Sequence, residues 1–418
     1  ATMDSSVGAT VGAGYIEAGN DLSIRALHDG GEILANATGL GIGAVSINSG
    51  SATAKANPNV DTVIDATIMR GRDVTVEALS IARANGVSSH QAFAGINIGN
   101  TNARVNSDNH VLTDLGSGVI IATRDVKVFA TGLTDTRVSA ETDGSFGFVT
   151  DAVAVANMDL DYDVQVISDT TIDAERTVLV ESRAGLDADT DSEADANGVA
   201  GFADADATLL VGSLADQALT QVQLNGNSDI KANLVVISSR AGAQSMIDAS
   251  TGNVLDNGAG LVTQWNARVD ALSDTKAFPV ANSIADATVR TWDLVETILH
   301  DGSSIEANGN IKVDALHDNT AIRADATAKL NDFGGGLAGK IASALLGALS
   351  SFSFGSTTVD PDATATYDSL SRVSGRDGSF LKAKNVDITA ENAASVIADA
   401  DKVESGLPQL TFTIDFGL

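Results

Sequence analysis

Residues 73–78 read DVTVEA, and closely similar segments recur along the chain at a constant interval. DLSIRA begins at Asp21, DVKVFA at Asp125 and TVLVES at Thr177, so that successive motifs start 52 residues apart. The alternation of valine with polar neighbours is typical of a strand with one buried face. The constant interval therefore predicts a repetitive β-architecture.

The motif continues into the second half of the chain at longer intervals. NLVVIS begins at Asn233, NIKVDA at Asn310 and NVDITA at Asn385, which gives steps of 56, 77 and 75 residues. These steps indicate insertions or extra turns. A longer similarity joins residues 15–39 to residues 304–328, so the first and the later repeats share more than the strand itself.

A less regular alternation of apolar and polar residues follows each motif, as in the Gly-rich segments from Gly41 and Gly147. We infer from it that each 52-residue repeat contains two coils of about 26 residues, which predicts an all-β parallel β-helix (β-solenoid). About 16 such coils would make a rod about 75 Å long, because stacked strands lie about 4.8 Å apart. A propeller or an immunoglobulin-like array would require more aromatic repeat positions.

We predict three regions: β-solenoid repeats over residues 1–329, a Gly/Ala/Leu-rich helical insertion or cap over 330–355, and final coils with a C-terminal strand over 356–418. Four apolar residues at i, i+4 spacing predict a short helix near 337–350, namely Leu337, Ile341, Leu345 and Leu349. This helix would pack on the solenoid or cap it, or would dock a partner.

The chain ends in LPQLTFTIDFGL, which alternates as a strand with one apolar face. The apolar residues are Leu410, Phe412, Ile414, Phe416 and Leu418. This strand is predicted to be the last rung or a cap, or to form a subunit contact by pairing with the open edge of a neighbouring copy.

Composition narrows the classes of function. The formal charge of −30 disfavours nucleic-acid binding and a basic membrane patch. The absence of cysteine excludes disulfides, thiolate metal sites and thiol catalysis. No apolar run reaches the length needed to cross a bilayer, so the chain is expected not to span a membrane.

The DVTVEA, DVKVFA and NVDITA strands, the Ala-rich alternating flanks and the Gly-rich turns resemble the repeat regions of large bacterial exoproteins. These are the filamentous-haemagglutinin-like and leukotoxin-type filamentous adhesins. The resemblance covers most of the chain as pattern and composition. It implies a right-handed β-helix that is secreted or attached to the bacterial surface and serves as a stalk, adhesin or matrix component.

Two acidic runs are candidate metal sites. Alternate residues of a strand share a face, so each run lines up carboxylates that could coordinate Ca²⁺, the candidate cofactor. The candidate ligands are Asp159, Asp161 and Asp163 in one run and Asp187, Asp189 and Asp191 in the other. Neither run matches a known calcium-loop spacing, and the alternative is a solvated outer face.

No catalytic residues are predicted. His28 and His317 both occur in ALHD at equivalent repeat positions, which favours a structural role, and no serine-nucleophile motif accompanies His300. The predicted function is a non-enzymatic extracellular structural or adhesive β-solenoid. It would be a segment or subunit of a bacterial surface fibre that associates end to end, with surface glycans or other cell-surface proteins as further candidate partners.

The alternative is a carbohydrate-active β-helix enzyme, either a polysaccharide lyase or a hydrolase, which would need paired carboxylates or basic residues in a cleft. An ice-binding helix would need a regular threonine ladder, and TFT occurs once, at 411–413.

Overall fold

The computed structural model describes residues 1–65, 67–242, 264–331, 357–376 and 378–405. These residues form strands and turns, and none of them forms a helix. The strands are β1 Thr2–Val11, β2 Gly14–Glu17, β3 Leu22–His28, β4 Glu32–Ile64, β5 Thr67–Ala174, β6 Thr177–Val211, β7 Ala218–Leu224, β8 Asp229–Ala241, β9 Trp265–Leu299, β10 Ser304–Asn331, β11 Thr357–Gly375, β12 Phe380–Lys382 and β13 Asn385–Ser405. In this part of the chain, no helical segment has the length and apolar character needed to cross a bilayer.

Every recorded strand pairing is parallel, and each strand pairs with its counterpart one repeat later. Leu22 pairs with Val74 and Val126 pairs with Val178, so the recurring motifs stack on one another. The ladder continues around the corners of the coil, which is why β5 spans 108 residues without a break. The predicted all-β parallel solenoid is confirmed. Its handedness stays a prediction.

The predicted coil of 26 residues is wrong, because one full coil takes 52 residues. The backbone N–H of Asp125 donates to the carboxylate of Asp73, 52 residues earlier, directly below it. The motif positions therefore stack into seven rungs: Leu22, Val74, Val126, Val178, Val235, Ile311 and Val386. Seven rungs extend about 30 Å along the stacking axis, and not the 75 Å expected from the shorter coil.

Each coil is flattened into two long faces joined by a short side. The first coil begins with the short side at residues 14–17. It continues through one long face at residues 22–43, which we call the second face, and closes with the other at residues 45–64, which we call the first face. Hydrogen bonds across the core show that the two faces are packed together. Thr113 donates to the carbonyl of Phe129 at 2.5 Å, and Ser182 donates to the carbonyl of Val164 at 2.6 Å. Short polar side chains can therefore be buried between the faces, since backbone carbonyls of the opposite face accept their hydrogen bonds.

The core consists of columns of small aliphatic side chains, one from each rung. The central column of the second face is Ile24, Val76, Val128, Val180, Ile237, Val313 and Ile388. Its five middle members have no exposed surface. Each fully buried valine or isoleucine contributes about 1.5–3 kcal/mol. The low aromatic content follows from this geometry, because narrow layers are filled by β-branched residues and alanine.

In the second half of the chain, the longer intervals between successive motifs come from insertions and not from extra turns of the coil. Ala241 pairs with Ala184 and Trp265 pairs with Leu186, so the intervening residues enter between neighbouring positions of the coil. A second long step, within 330–357, falls where the coil turns from the second face to the first. The predicted helix at 337–350 lies there, outside the described residues.

The aspartate that begins each motif forms a ladder with arginine at one corner of the coil. Each arginine donates to the aspartate of the preceding rung. The pairs are Arg72 with Asp21, Arg124 with Asp73 and Arg176 with Asp125. In the last rungs Asn385 donates instead to Asn310 at 3.0 Å. The polar residue at the start of the motif thus links neighbouring rungs.

Candidate functional site

Four aspartates form a column on the outer surface of the second face. Asp191 pairs with Asp270, Asp270 with Asp325, and Asp325 with Asp399. They occupy four successive rungs, so their carboxylates repeat at the strand spacing of about 4.8 Å. We call this column the aspartate ladder.

The aspartate ladder is electrostatically strained. The pKa of Asp270 is raised to about 6, chiefly by burial; the charge of Arg268 opposes the rise, and Asp191 and Asp325 add to it. The Arg268 guanidinium lies 2.6 Å from the Asp270 carboxylate on the same strand. The pKa of Asp191 is also raised, first by burial and then by Asp189. Burial, and to a smaller degree the stacked like charges, thus disfavours the ionised form of these carboxylates.

Three carboxylates on this surface are close enough to share a cation. Single oxygens of Asp189, Asp191 and Asp270 lie within 4.8 Å of one another. Ca²⁺ binds six to eight oxygens, so these side chains would supply part of a coordination shell. Asp189 and Asp191 were predicted from the sequence. Asp270 was missed because the insertion before Trp265 hides its register against the fourth rung.

The six predicted metal ligands do not form one site. Asp159, Asp161 and Asp163 lie on the outer surface of the first face, whereas Asp187, Asp189 and Asp191 lie on the second, on the other side of the core. Metal binding by either run stays a prediction.

The first-face run has its own charged neighbours. Burial, with Asp216 and Asp108, raises the pKa of Asp161 to about 7. Asp163 lies 3.4 Å from the ring of His110 and raises the pKa of that imidazole by hydrogen bonding.

His317 lies inside the core within a polar cluster. Its Nδ1 is 2.7 Å from a carboxylate oxygen of Asp293 and 2.9 Å from the hydroxyl of Ser369, and Tyr367 contacts the same nitrogen at 2.8 Å. The ring packs edge-on against Trp265, with centroids 5.2 Å apart. We call these five residues the His317 cluster.

The His317 cluster differs from a serine-hydrolase triad. In a triad the serine and the carboxylate occupy opposite nitrogens of the imidazole. Here Ser369 and Asp293 share Nδ1, and Nε2 has no hydrogen-bond partner. His28, the repeat equivalent in the first rung, accepts or donates one hydrogen bond with Ser5 at 3.1 Å. The arrangement is that of a buried structural network.

A second buried network was not anticipated, because it lies on the outward side of the second face. Arg240 and Asp314 form an ion pair at 2.8 Å, and their side chains are 3% and 0% exposed. Arg183 and Glu181 pair at 3.2 Å one rung earlier. Alternation alone assigns these residues to solvent, so only tertiary structure could show their burial.

The first and last rungs expose strand edges. Among the described residues, β1, β2 and β3 pair only with later strands, and β11, β12 and β13 pair only with earlier ones. Core positions are correspondingly open at the last rung, where Val386 is 45% and Ile388 is 55% exposed. Within the described ranges, both ends of the solenoid therefore present unpaired backbone beside apolar side chains, which is a template for strand addition.

The turn between the two long faces carries a strip of exposed apolar side chains. Ile42 pairs with Phe93 in the next rung, and Phe148 lies at the same turn one rung further on. Ile42 and Phe148 are 76% and 62% exposed. Such a strip is unusual on a chain of charge −30 and marks a surface suited to contact.

The continuous parallel ladder and the 52-residue coil define the chain as a β-solenoid. It matches no family model, no curated protein and no solved structure.

Proposed function

We propose that the chain is a non-enzymatic extracellular structural β-solenoid, a segment or subunit of a bacterial surface fibre that assembles by strand pairing at its ends. The observation that carries the proposal is that, in the part of the chain that the structure describes, the terminal rungs present unpaired strands beside exposed core residues. A folded monomer normally protects such edges with charges, bulges or covering segments. The resemblance to filamentous adhesin repeats supports the extracellular, bacterial setting.

The mechanism is mechanical. Each added coil contributes its own ladder and one further layer of the core, so stability accumulates rung by rung. The exposed apolar strip at the turn supports an adhesive role along the side of the fibre. The terminal residues 406–418, with the predicted contact at Leu410, Phe412, Ile414, Phe416 and Leu418, lie outside the described residues and stay a prediction.

The test is negative-stain imaging and sedimentation of the purified chain, with and without millimolar Ca²⁺. We expect fibres that lengthen by about 34 Å per added copy, because each copy adds seven rungs spaced about 4.8 Å apart. Fibres only with Ca²⁺ would make the acidic runs functional metal sites. Single particles under both conditions would overturn the proposal, and cleavage of a polysaccharide panel would favour the enzyme alternative.

A variant pair separates end-to-end pairing from non-specific aggregation. Ile388→Lys places a charge in the exposed core column of the last rung, so it should abolish fibres. Thr389→Lys is the matched control, because its side chain points outward from the same strand. Equal loss of assembly in both variants would contradict pairing through the open core.

A further inference from the structure

The short side of the coil carries charged residues whose sign alternates from rung to rung, except in the third rung, where Ile121 and Ala122 occur. Glu17 pairs with Arg70 in the second rung. Further along the axis, Asp173 pairs with Lys231, Lys231 with Glu306, and Glu306 with Lys382. Each of these recorded pairings joins opposite charges. We call these residues the charge column.

Contacts within the charge column are those of surface ion pairs. Lys382 lies 3.7 Å from Glu306, and their side chains are 68% and 39% exposed. The pKa of Lys231 is raised mainly by Asp229 and additionally by Glu306 and Asp173. Exposed pairs contribute little affinity but favour one register over others. The charge column would therefore favour one register when copies stack on one another.

The two ends of the charge column are opposite in sign. Glu17 lies in the first rung and Lys382 in the last. Copies stacked in the same direction bring Lys382 against Glu17 of the next copy. Copies joined first rung to first rung, or last to last, bring like charges together.

The same junction already exists inside the chain. The fifth rung presents Lys231 to Glu306 of the sixth, and the segment around Glu306 (SIEA) resembles the segment around Glu17 (YIEA). The last rung carries Lys382 at the position of Lys231. A last-to-first contact between copies would thus repeat the fifth-to-sixth contact within one copy.

Core columns also match across this junction. In register, Val386 and Ile388 of one copy meet Leu22 and Ile24 of the next, so apolar side chains continue each column. A shift by one residue would move these side chains to the wrong face.

We infer that copies of this chain stack head to tail and in register, with Lys382 of one copy against Glu17 of the next. This inference rests on the proposed end-to-end assembly and adds its polarity and register. The partner at the open end is a second copy of the same chain.

The chain has no cysteine, so engineered cysteines report the register directly. Paired positions in adjacent parallel strands are close enough for a disulfide. The double variant Glu17→Cys, Lys382→Cys should give a ladder of covalent multimers under mild oxidation. Glu17→Cys with Lys384→Cys is the control, since Lys384 lies on the same rung two residues away. Dimers from either single variant would indicate a reversed junction and overturn the inference.

Charge reversal gives an independent measurement. Glu17→Lys or Lys382→Glu should weaken association about five-fold at low salt, and the double exchange should restore it. Lys384→Glu should change association less than Lys382→Glu does. If the native chain forms no fibres, the proposed function fails. If it forms fibres without the Glu17–Lys382 cross-link, only the register is wrong.

Discussion

Replacing His317 by alanine should destabilise the protein more than the same change at its repeat equivalent, His28. Asp293 and His317 are completely buried, and the imidazole Nδ1 lies 2.7 Å from the carboxylate, which also accepts a hydrogen bond from the Ser369 hydroxyl at 2.6 Å. Removing the imidazole takes one hydrogen-bond partner from a buried carboxylate, which costs about 1.5–3 kcal/mol. His28 is only partly buried and makes one side-chain hydrogen bond, to Ser5, so its loss costs about 1 kcal/mol.

Urea unfolding followed by tryptophan fluorescence measures both variants, because Trp265 packs directly on the His317 ring. The double variant Asp293→Ala, His317→Ala should lose less free energy of unfolding than the sum of the two single variants, because it leaves neither side chain buried without its partner. If His317→Ala costs no more than His28→Ala, the buried network contributes nothing beyond a surface contact. That result would refute the reasoning.

Three further predictions concern pH, a turn and the corner ladder. The pKa of Asp161 is raised to about 7, so its penalty is absent below about pH 4 and grows toward pH 7. The thermal midpoint should therefore fall from pH 5 to pH 8, and a rising midpoint would contradict this. Gly302 has φ of 87° with a carbonyl oxygen 2.9 Å from an added Cβ. Gly302→Ala should cost at least about 1–2 kcal/mol in urea unfolding, more than Gly378→Ala, where φ is 86° and the nearest atom is 3.6 Å away. Asp125→Ala should cost about 1.5–3 kcal/mol in the same assay, because its carboxylate accepts charge-assisted hydrogen bonds from Arg176. Asp21→Ala should cost less than about 1 kcal/mol, because the Asp21 side chain is 56% exposed whereas that of Asp125 is 1% exposed. Equal losses would show that burial does not set the strength of the ladder.

The sequence was sufficient to predict the recurring strand, the face of that strand that is buried and the interval at which the strands stack. Alternation is a local property, so Val74 and Val76 could be assigned to the core without knowledge of the fold. The interval of 52 then places each motif on its counterpart, as the pairing of Leu22 with Val74 confirms.

The number of coils per repeat could not be read in the same way. Two alternating segments in one repeat are compatible with two short coils or with the two faces of one long coil, since alternation does not record where a chain reverses. The evidence that decides it is tertiary: Thr113 and Ser182 donate to backbone carbonyls on the opposite face. The partners of Asp191 were hidden for a related reason, because insertions changed the interval between rungs.

The distribution of charge explains why assembly would be confined to the ends. The sides of the solenoid carry the aspartate ladder, and the chain has a formal charge of −30, so two copies side by side are expected to repel each other. At the ends the exposed groups are backbone donors and acceptors, apolar columns and, in the charge column, opposite charges at Glu17 and Lys382. Strand pairing is attractive there, while the acidic flanks oppose lateral contact. A chain built in this way would grow along its stacking axis and remain soluble on its flanks.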